Sequence, residues 1–343
     1  MNPTLIPPTV QRHQTMKAIV QHRYGAPEVL QYGTMAVPEP ADDQVLIAVH
    51  AAGVNQGDAL AMRGWPYAAR LTYGLTRPRR AVPGTDIAGR VVAVGATVEG
   101  VEVGDPVVGW AVSGAFAPYA TATASSVVPK PETLSFEQAA AMPTAGVAGL
   151  QAVRDAGRVS TGMEVLVVGA SGGVGTFAVQ IAAAHGARVT GVASDRNAEL
   201  VLSLGAAAVV DYTRDDFTSH TSRYDVIIDL VGNQPIRRVR RALTPTGTLV
   251  VVGGNNPQSL TGMRRFASAA VLTPFSSPRL VPLFSKPEPG DLAALTDMVD
   301  TGTIRPVIDR SFDLVGAADA VAHVETGRSR GKVVIATEQG ALR

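Results

Sequence analysis

Cysteine is absent from the chain, which excludes disulfides, thiolate nucleophiles and cysteine-ligated zinc sites together. Charge is scarce: Asp, Glu, Lys and Arg make up 17% of the 343 residues and leave a formal net charge of +1. No face reads as a basic stripe, so the electrostatic footprint of a DNA or RNA binder is missing and no nucleic-acid partner is expected. Arg77, Arg79 and Arg80 form a small cluster that reads as a solvated loop. Long apolar runs are missing too, since nothing approaches the roughly 18 residues of a membrane span. The stretch through Thr15 carries three prolines and no signal-type apolar core. These absences predict a cytoplasmic protein without a membrane partner. Residues 1–15 are expected to be a flexible leader, or to follow an upstream start, with the first strand beginning at Met16.

What is present suits a compact globular protein. Hydrophobic residues reach 46%, and the length exceeds that at which one hydrophobic core usually stops growing, so two domains are expected. From Met16 to about Pro129, short β-branched runs (18–20, 45–49, 89–94, 107–111 and 119–123) alternate with glycine and proline. The pattern predicts antiparallel β structure in a partly open barrel. Helical periodicity starts near Phe136. From there to about Ile304, strands expected at 164–168, 188–192, 209–211, 226–230 and 248–252 alternate with helices at 175–185, 198–204 and 235–243, which implies βαβ units and a parallel sheet covered on both faces. After Arg305, β character returns at 311–314 and 332–336 around a helix at 316–325. The predicted fold class is therefore α/β: a β-rich domain of residues 16–138 and 305–343, interrupted by a doubly wound, parallel-sheet Rossmann domain of residues 139–304. Residues 256–289, rich in Pro, Ser, Phe and Arg, fit neither pattern and read as a wall or lid of a substrate cleft, or as a surface excursion.

The most informative stretch runs EVLVVGASGGVG from Glu164 to Gly175 and continues directly into a helical TFAVQIAAAHG. A buried strand ending in a glycine-rich turn that opens a helix is the context a dinucleotide fingerprint requires. Gly172 lets the backbone approach a pyrophosphate, Gly175 permits close packing of helix on strand, and the helix N–H groups meet negative charge. Ala170 stands at the first glycine position, so Ala170, Ser171, Gly172, Gly173, Val174 and Gly175 are the expected phosphate-binding residues. At the end of the next strand the chain has Ser194, Asp195 and Arg196. Ser194 and Arg196 suit a ribose 2′-phosphate and predict NADPH over NADH; Asp195, shifted by one residue, would instead serve a 2′-hydroxyl. Ligands sit at the carboxyl ends of such strands, which adds Val231, Gly232, Gly253, Gly254 and Asn255.

The segments AAGVNQGD, PGTDIAGRVVAVG, GAFAPYAT, VLVVGASGGVG, SLGAAAVVDY and GKVVIA occur in order over nearly the whole chain from Met16 on. Together they resemble the zinc-independent branch of the medium-chain dehydrogenase/reductase superfamily, close to quinone oxidoreductases and enoyl reductases. The resemblance implies a GroES-like β domain interrupted by a Rossmann domain, and a homodimer joined through edge strands, with 248–252 near such an edge. Zinc-dependent members carry a cysteine after the 45–49 strand and Gly-His-Glu where this chain has Gly84, Thr85 and Asp86; no zinc and no metal site are expected, His50 near Asp58 or Asp86 being the only conceivable nucleus.

The resemblance also places Asn55 and Asp58 beside the nicotinamide, although Asp58 equally suits a helix cap. It places Tyr212 near the 2′-phosphate, or in the core at a strand end. A family threonine that reaches the nicotinamide is replaced by Ala148 here, leaving Thr144 as its substitute. Tyr67 lies where enoyl reductases have a donor tyrosine. The implied activity is hydride transfer to a quinone, enone or other α,β-unsaturated carbonyl compound. An alcohol dehydrogenase and a non-catalytic NADPH-binding sensor or structural protein are the alternatives.

Overall fold

The computed structural model describes residues 14–219, 221, 223–253 and 277–337. Two large sheets organise them. The first is seven-stranded and mostly antiparallel, with strands drawn from Gln44–Val54 through Val127–Pro129 and from Ile308–Asp313 and Lys332–Ala336. Its centre is Gln44–Val54, whose run VLIAVHAAGV is buried at nearly every position, as expected of a strand covered on both faces. Asp86–Val94 pairs along one edge of it. On the other edge Tyr119–Thr123 takes the first half and Lys332–Ala336 the second, so the two ends of the chain share one sheet. The pairing with Asp86–Val94 shifts register between Val49 and Ala51, and His50 is the extra residue, stacked on Phe136 at 4.0 Å.

The second sheet has six parallel strands in the order Ala208–Asp211, Arg188–Ala193, Glu164–Val168, Tyr224–Asp229, Leu243–Val251 and Arg279–Pro282. The chain winds outward from Glu164–Val168 in one direction and then restarts beside it, which creates a crevice at the carboxyl ends of the two central strands. Residues 248–251, within the segment expected near the sheet edge, belong to the strand Leu243–Val251; Arg279–Pro282 pairs outside it and is the outermost strand on that side among the described residues. That strand and the following loop account for residues 277–288 of the segment that fitted no pattern, and 256–276 lie outside the described residues.

Helices begin earlier than the periodicity predicts. Gln56–Arg63 and Arg70–Tyr73 precede Phe136 but are too short, at eight and four residues, to impose a 3.6-residue pattern on glycine-rich text. The first strand takes in Thr15, paired with Ala36, one residue into the expected leader. Phe136–Ala140 and Pro143–Leu150 lie between the sheets. Their Ala139, Val147 and Leu150, with Met142 between them, join Ala51, Val108 and Trp110 of the first sheet to Val165, Phe177 and Val250 around the second in one continuous core. No helix among the described residues is long and apolar enough to cross a membrane.

Candidate active site

The crevice is built from its turn upward. Glu164–Val168 ends at Gly169, whose φ of +86° makes a bend that a side chain would strain. The chain then rises through Gly172 into the Gly173–Ala184 helix, so the helix opens its positive end and unpaired N–H groups into the crevice. A Cβ on Gly175 would lie 2.1 Å from the Gly169 carbonyl oxygen and 2.9 Å from Ala170; only glycine permits that contact. The tight-turn role falls on Gly169 and not on Ala170, which is fully buried and lines no part of the cleft. Ser171, Gly172, Gly173, Val174 and Gly175 do line it. Asn197, missed in the sequence, donates from Nδ2 to the Ser171 hydroxyl at 3.0 Å.

The cleft encloses about 830 Å³. At its outer end Ser194 and Arg196 are on the wall while Asp195 is not. Tyr212, 59% exposed, lies on the same wall with Arg214, a second cation that no motif had marked. Arg214 is 3.8 Å from Asp211, whose carboxyl is held below the usual range chiefly by the Thr213 N–H. Val231 lines the cleft. Gly232 and Gly253 stand behind it, their N–H groups donating to Asp229 at its side chain (2.8 Å) and its carbonyl (3.1 Å) respectively. Gly254 and Asn255 lie outside the described residues.

The inner end is a buried polar cluster drawn from four distant segments. Asn55 caps the Gln56–Arg63 helix, and Asp58 Oδ2 accepts the Asn55 N–H at 2.8 Å, so the capping role proposed for Asp58 is present. Asp86 Oδ2 accepts from Asn55 Nδ2 at 2.9 Å, and Oδ1 from the Thr144 hydroxyl. Trp110 Nε1 donates to Thr144 Oγ1 at 3.2 Å, which closes that side. Lys332, 3% exposed, donates to the Val54 carbonyl at 2.9 Å and to Asn55 Oδ1. Because an ammonium only donates and a carboxylate only accepts, the Asn55 amide can point only one way. The Asn55 side chain also hydrogen-bonds Asp58, and Asn55 lines a smaller inner cleft with Gln56, Ala145, Lys332, Gly172 and Gly173.

Burial pushes the Asp58 carboxyl up to about 7, and the Asp86 charge adds to the rise against the opposing Asn55 N–H and Lys332. Burial likewise lowers Lys332, with Asp86 and Asp58 opposing. Lys332 opens the GKVVIA segment and was not marked as a site residue; its signal was a lysine where a buried strand begins. Thr144 lines neither cleft, and its hydroxyl is committed to Asp86 and Trp110. Tyr67 also lines neither: it is 46% exposed, at the head of a single turn, Tyr67–Ala69, with the Arg70 guanidinium 4.9 Å above its ring.

The two ends of the cleft are tied together directly. The Gly331 N–H donates to the Ser171 carbonyl at 2.8 Å, and a Cβ on Gly173 would come within 2.9 Å of Lys332 Cδ, so the lysine stem crosses the Gly169–Gly175 turn on its way to Asn55. Gly327, Arg328 and Ser329, just before, line the main cleft. Arg63 pairs with Glu325 and fixes the Gln56–Arg63 helix to that same wall.

Comparison with known proteins gives this geometry a family. Residues 41–132 match the alcohol dehydrogenase GroES-like domain, and residues 204–335 match a family described as zinc-binding dehydrogenase. The chain is 32% identical to the quinone oxidoreductase of Mus musculus over 333 residues, covering 93% of this chain and 97% of that protein. It belongs to the quinone oxidoreductase branch of the medium-chain dehydrogenase/reductase superfamily. It is 34% identical to the 2-methylene-furan-3-one reductase of Solanum lycopersicum, with 93% and 79% covered. The crystal structure of Escherichia coli quinone oxidoreductase complexed with NADPH superposes with a TM-score of 0.80 at 25% identity, covering 94% and 99%. This branch member is an oxidoreductase, with a GroES-like domain and a Rossmann domain.

Proposed function

We propose that this oxidoreductase takes NADPH and reduces a quinone or the conjugated C=C bond of an α,β-unsaturated carbonyl compound, without a metal. The observation that carries the proposal is the continuity of the cleft. A wall bearing Ser194, Arg196, Tyr212 and Arg214 leads past the Gly169–Gly175 turn to the inner cleft that Asn55 and Lys332 line. The length and order of these features fit a dinucleotide with a 2′-phosphate at one end and its nicotinamide at the other. Two guanidinium groups and a serine beside the ribose, with Asp195 off the wall, favour the phosphorylated cofactor.

When bound there, NADPH supplies the hydride. The residues do the rest. The turn and the helix N-terminus neutralise pyrophosphate charge, and Arg196 with Arg214 holds the 2′-phosphate. Asn55 and the Lys332 ammonium, which both line the inner cleft, favour an oxygen there that gains negative charge during reduction. With Tyr67 off the cleft, the proton comes from solvent.

A zinc ion does not fit the inner cluster. Both Asp86 oxygens are engaged, His50 is stacked on Phe136, and among the described residues no group of three His, Cys, Asp or Glu side chains converges. Lys332 holds the place of the cation. Of the relatives, the tomato protein is named for a substrate whose methylene is conjugated to a ketone, which supports the conjugated acceptor. A homodimer would use the Arg279–Pro282 edge.

The test is oxidation of NADPH, and separately of NADH, against quinones, enones, enals, simple ketones and aldehydes, with and without chelator. Chelator-resistant NADPH oxidation by a conjugated acceptor is expected. Turnover only with simple carbonyls, or only after zinc addition, points instead to an alcohol dehydrogenase.

A further inference from the structure

The stretch between the Gln56–Arg63 helix and Pro83 has no part in either cleft and an unusual surface. Of the thirteen large hydrophobic side chains exposed among the described residues, Tyr67, Leu71, Tyr73 and Leu75 fall within nine consecutive positions, the two leucines at 70% and 66%. Such a concentration marks a contact surface, whereas single exposed hydrophobics are ordinary. The exposure is built in. Gly74 donates to the Arg70 carbonyl at 2.8 Å, Arg79 N–H to the Tyr73 carbonyl at 2.7 Å, and Tyr24 Oη to the Gly74 carbonyl at 2.6 Å. Arg70 is clamped between the Tyr24 and Tyr67 rings, at 4.4 and 4.9 Å. The loop thus holds Leu71 and Leu75 outward.

Its charge is of one sign. No Asp or Glu occurs between Asp58 and Asp86, while Arg63, Arg70, Arg77, Arg79 and Arg80 do. Arg63 is neutralised by Glu325; Arg77, Arg79 and Arg80 are exposed. Pairing this patch with a second copy of itself would set arginines against arginines. We propose that residues 67–80 dock the protein on an anionic lipid surface. The leucines and tyrosines enter the interface while the arginine heads meet lipid phosphates, the combination that peripheral binding requires. Docking of this kind needs no spanning segment, so it revises the expectation of no membrane partner without conflicting with the absence of a long apolar run. The helix between Asn55 and this loop is eight residues long, about 12 Å at 1.5 Å per residue. Docking therefore holds the inner cleft near the bilayer surface. The proposal stands independently of the cofactor and substrate assigned above.

Co-sedimentation of the full chain with vesicles of phosphatidylcholine alone, or mixed with phosphatidylglycerol, tests it. Pelleting with the mixed vesicles is expected, weakened by salt, and reduced by at least about tenfold in Leu71→Ser/Leu75→Ser and in Arg77→Gln/Arg79→Gln/Arg80→Gln. Circular dichroism checks that these surface variants keep the fold. No pelleting with the mixed vesicles, pelleting of either variant equal to the parent's, or binding to phosphatidylcholine alone equal to that with the mixed vesicles overturns the proposal. So does capture by immobilised polyglutamate in the absence of any vesicle binding, which would assign the patch to an acidic protein.

Discussion

The two ends of the cleft are made in opposite ways. Toward the outer end, the Gly169–Gly175 turn is built from backbone, a strand, a bend at Gly169 and a helix start all within twelve residues, with the Ser194, Arg196, Tyr212 and Arg214 side chains on the wall beyond it. The inner end is built from side chains of Asn55, Asp86, Thr144 and Lys332, separated by up to 277 residues and joined only by folding. A backbone site is fixed once its local sequence forms. A side-chain site depends on the packing of two sheets and on an electrostatic balance among buried groups.

The sharpest way to break this comparison is to damage the turn. Gly175→Val places atoms where the Gly169 carbonyl already lies, and the expected result is loss of more than about 100-fold in NADPH affinity by fluorescence titration, since the helix must move off its strand. Near-normal affinity would show that the turn tolerates what its geometry forbids.

Lys332→Met probes the other end. It leaves Asp86 and the Asn55 oxygen without their buried cation, and removal of one partner from such a cluster costs about 3–5 kcal/mol of stability. At a temperature where the variant remains folded, kcat is expected to fall by about tenfold or more while NADPH affinity stays within about threefold. An equal loss of affinity would mean that the two ends are not separable.

Arg196→Ala sharpens the contrast within the outer end. Loss of one charge-assisted contact is expected to weaken NADPH binding by roughly 10- to 100-fold and to leave NADH binding nearly unchanged. A uniform loss for both cofactors would remove Arg196 from 2′-phosphate recognition.

The smallest effect is a pH dependence. Asp58 titrates at about 7 in the folded protein and near 3.8 when unfolded. The folded state therefore holds the extra proton between these values, and the group contributes a loss of stability as pH rises from about 4 to 7. Asp58→Asn keeps an acceptor for the Asn55 N–H and removes the charge. Its melting temperature is expected to exceed the parent's by a few degrees at pH 8, with the gain fading toward pH 4. A gain independent of pH would mean that the carboxyl is not charged at the expense of the fold.

The same division governs what could be read before folding. The parallel sheet and its turn were legible because each strand, turn and helix carries its pattern locally. Even there Ala170, at the first glycine position, was expected among the phosphate-binding residues, whereas the positive φ belongs to Gly169 and Ala170 does not line the cleft. Ser194 and Arg196 were marked by their offset from the turn and Tyr212 by the resemblance, and all three line the cleft; Arg214 and Asn197 were not marked, since nothing in their neighbourhood announces a ligand. At the inner end, Asn55 and Asp58 came from the resemblance, but Lys332 sat inside a quoted motif unremarked. A lysine heading a strand looks like a solvated charge until the fold shows two carboxyls waiting for it. Tyr67 illustrates the reverse error: an aromatic near the expected cleft in sequence is turned away from it by Arg70.

The strand Lys332–Ala336 also sets the order in which the protein can fold. It pairs with Gln44–Val54, about 280 residues away in the chain, and such long-range pairings form late. Until it arrives, half of one edge of the central strand is open and two acidic side chains lack their cation. Completion of the first sheet, seating of Lys332 across the Gly169–Gly175 turn and closure of that exposed edge are one late event of folding. Before it, the parallel sheet can stand while the polar cluster around Asn55 and Asp86 is still unassembled.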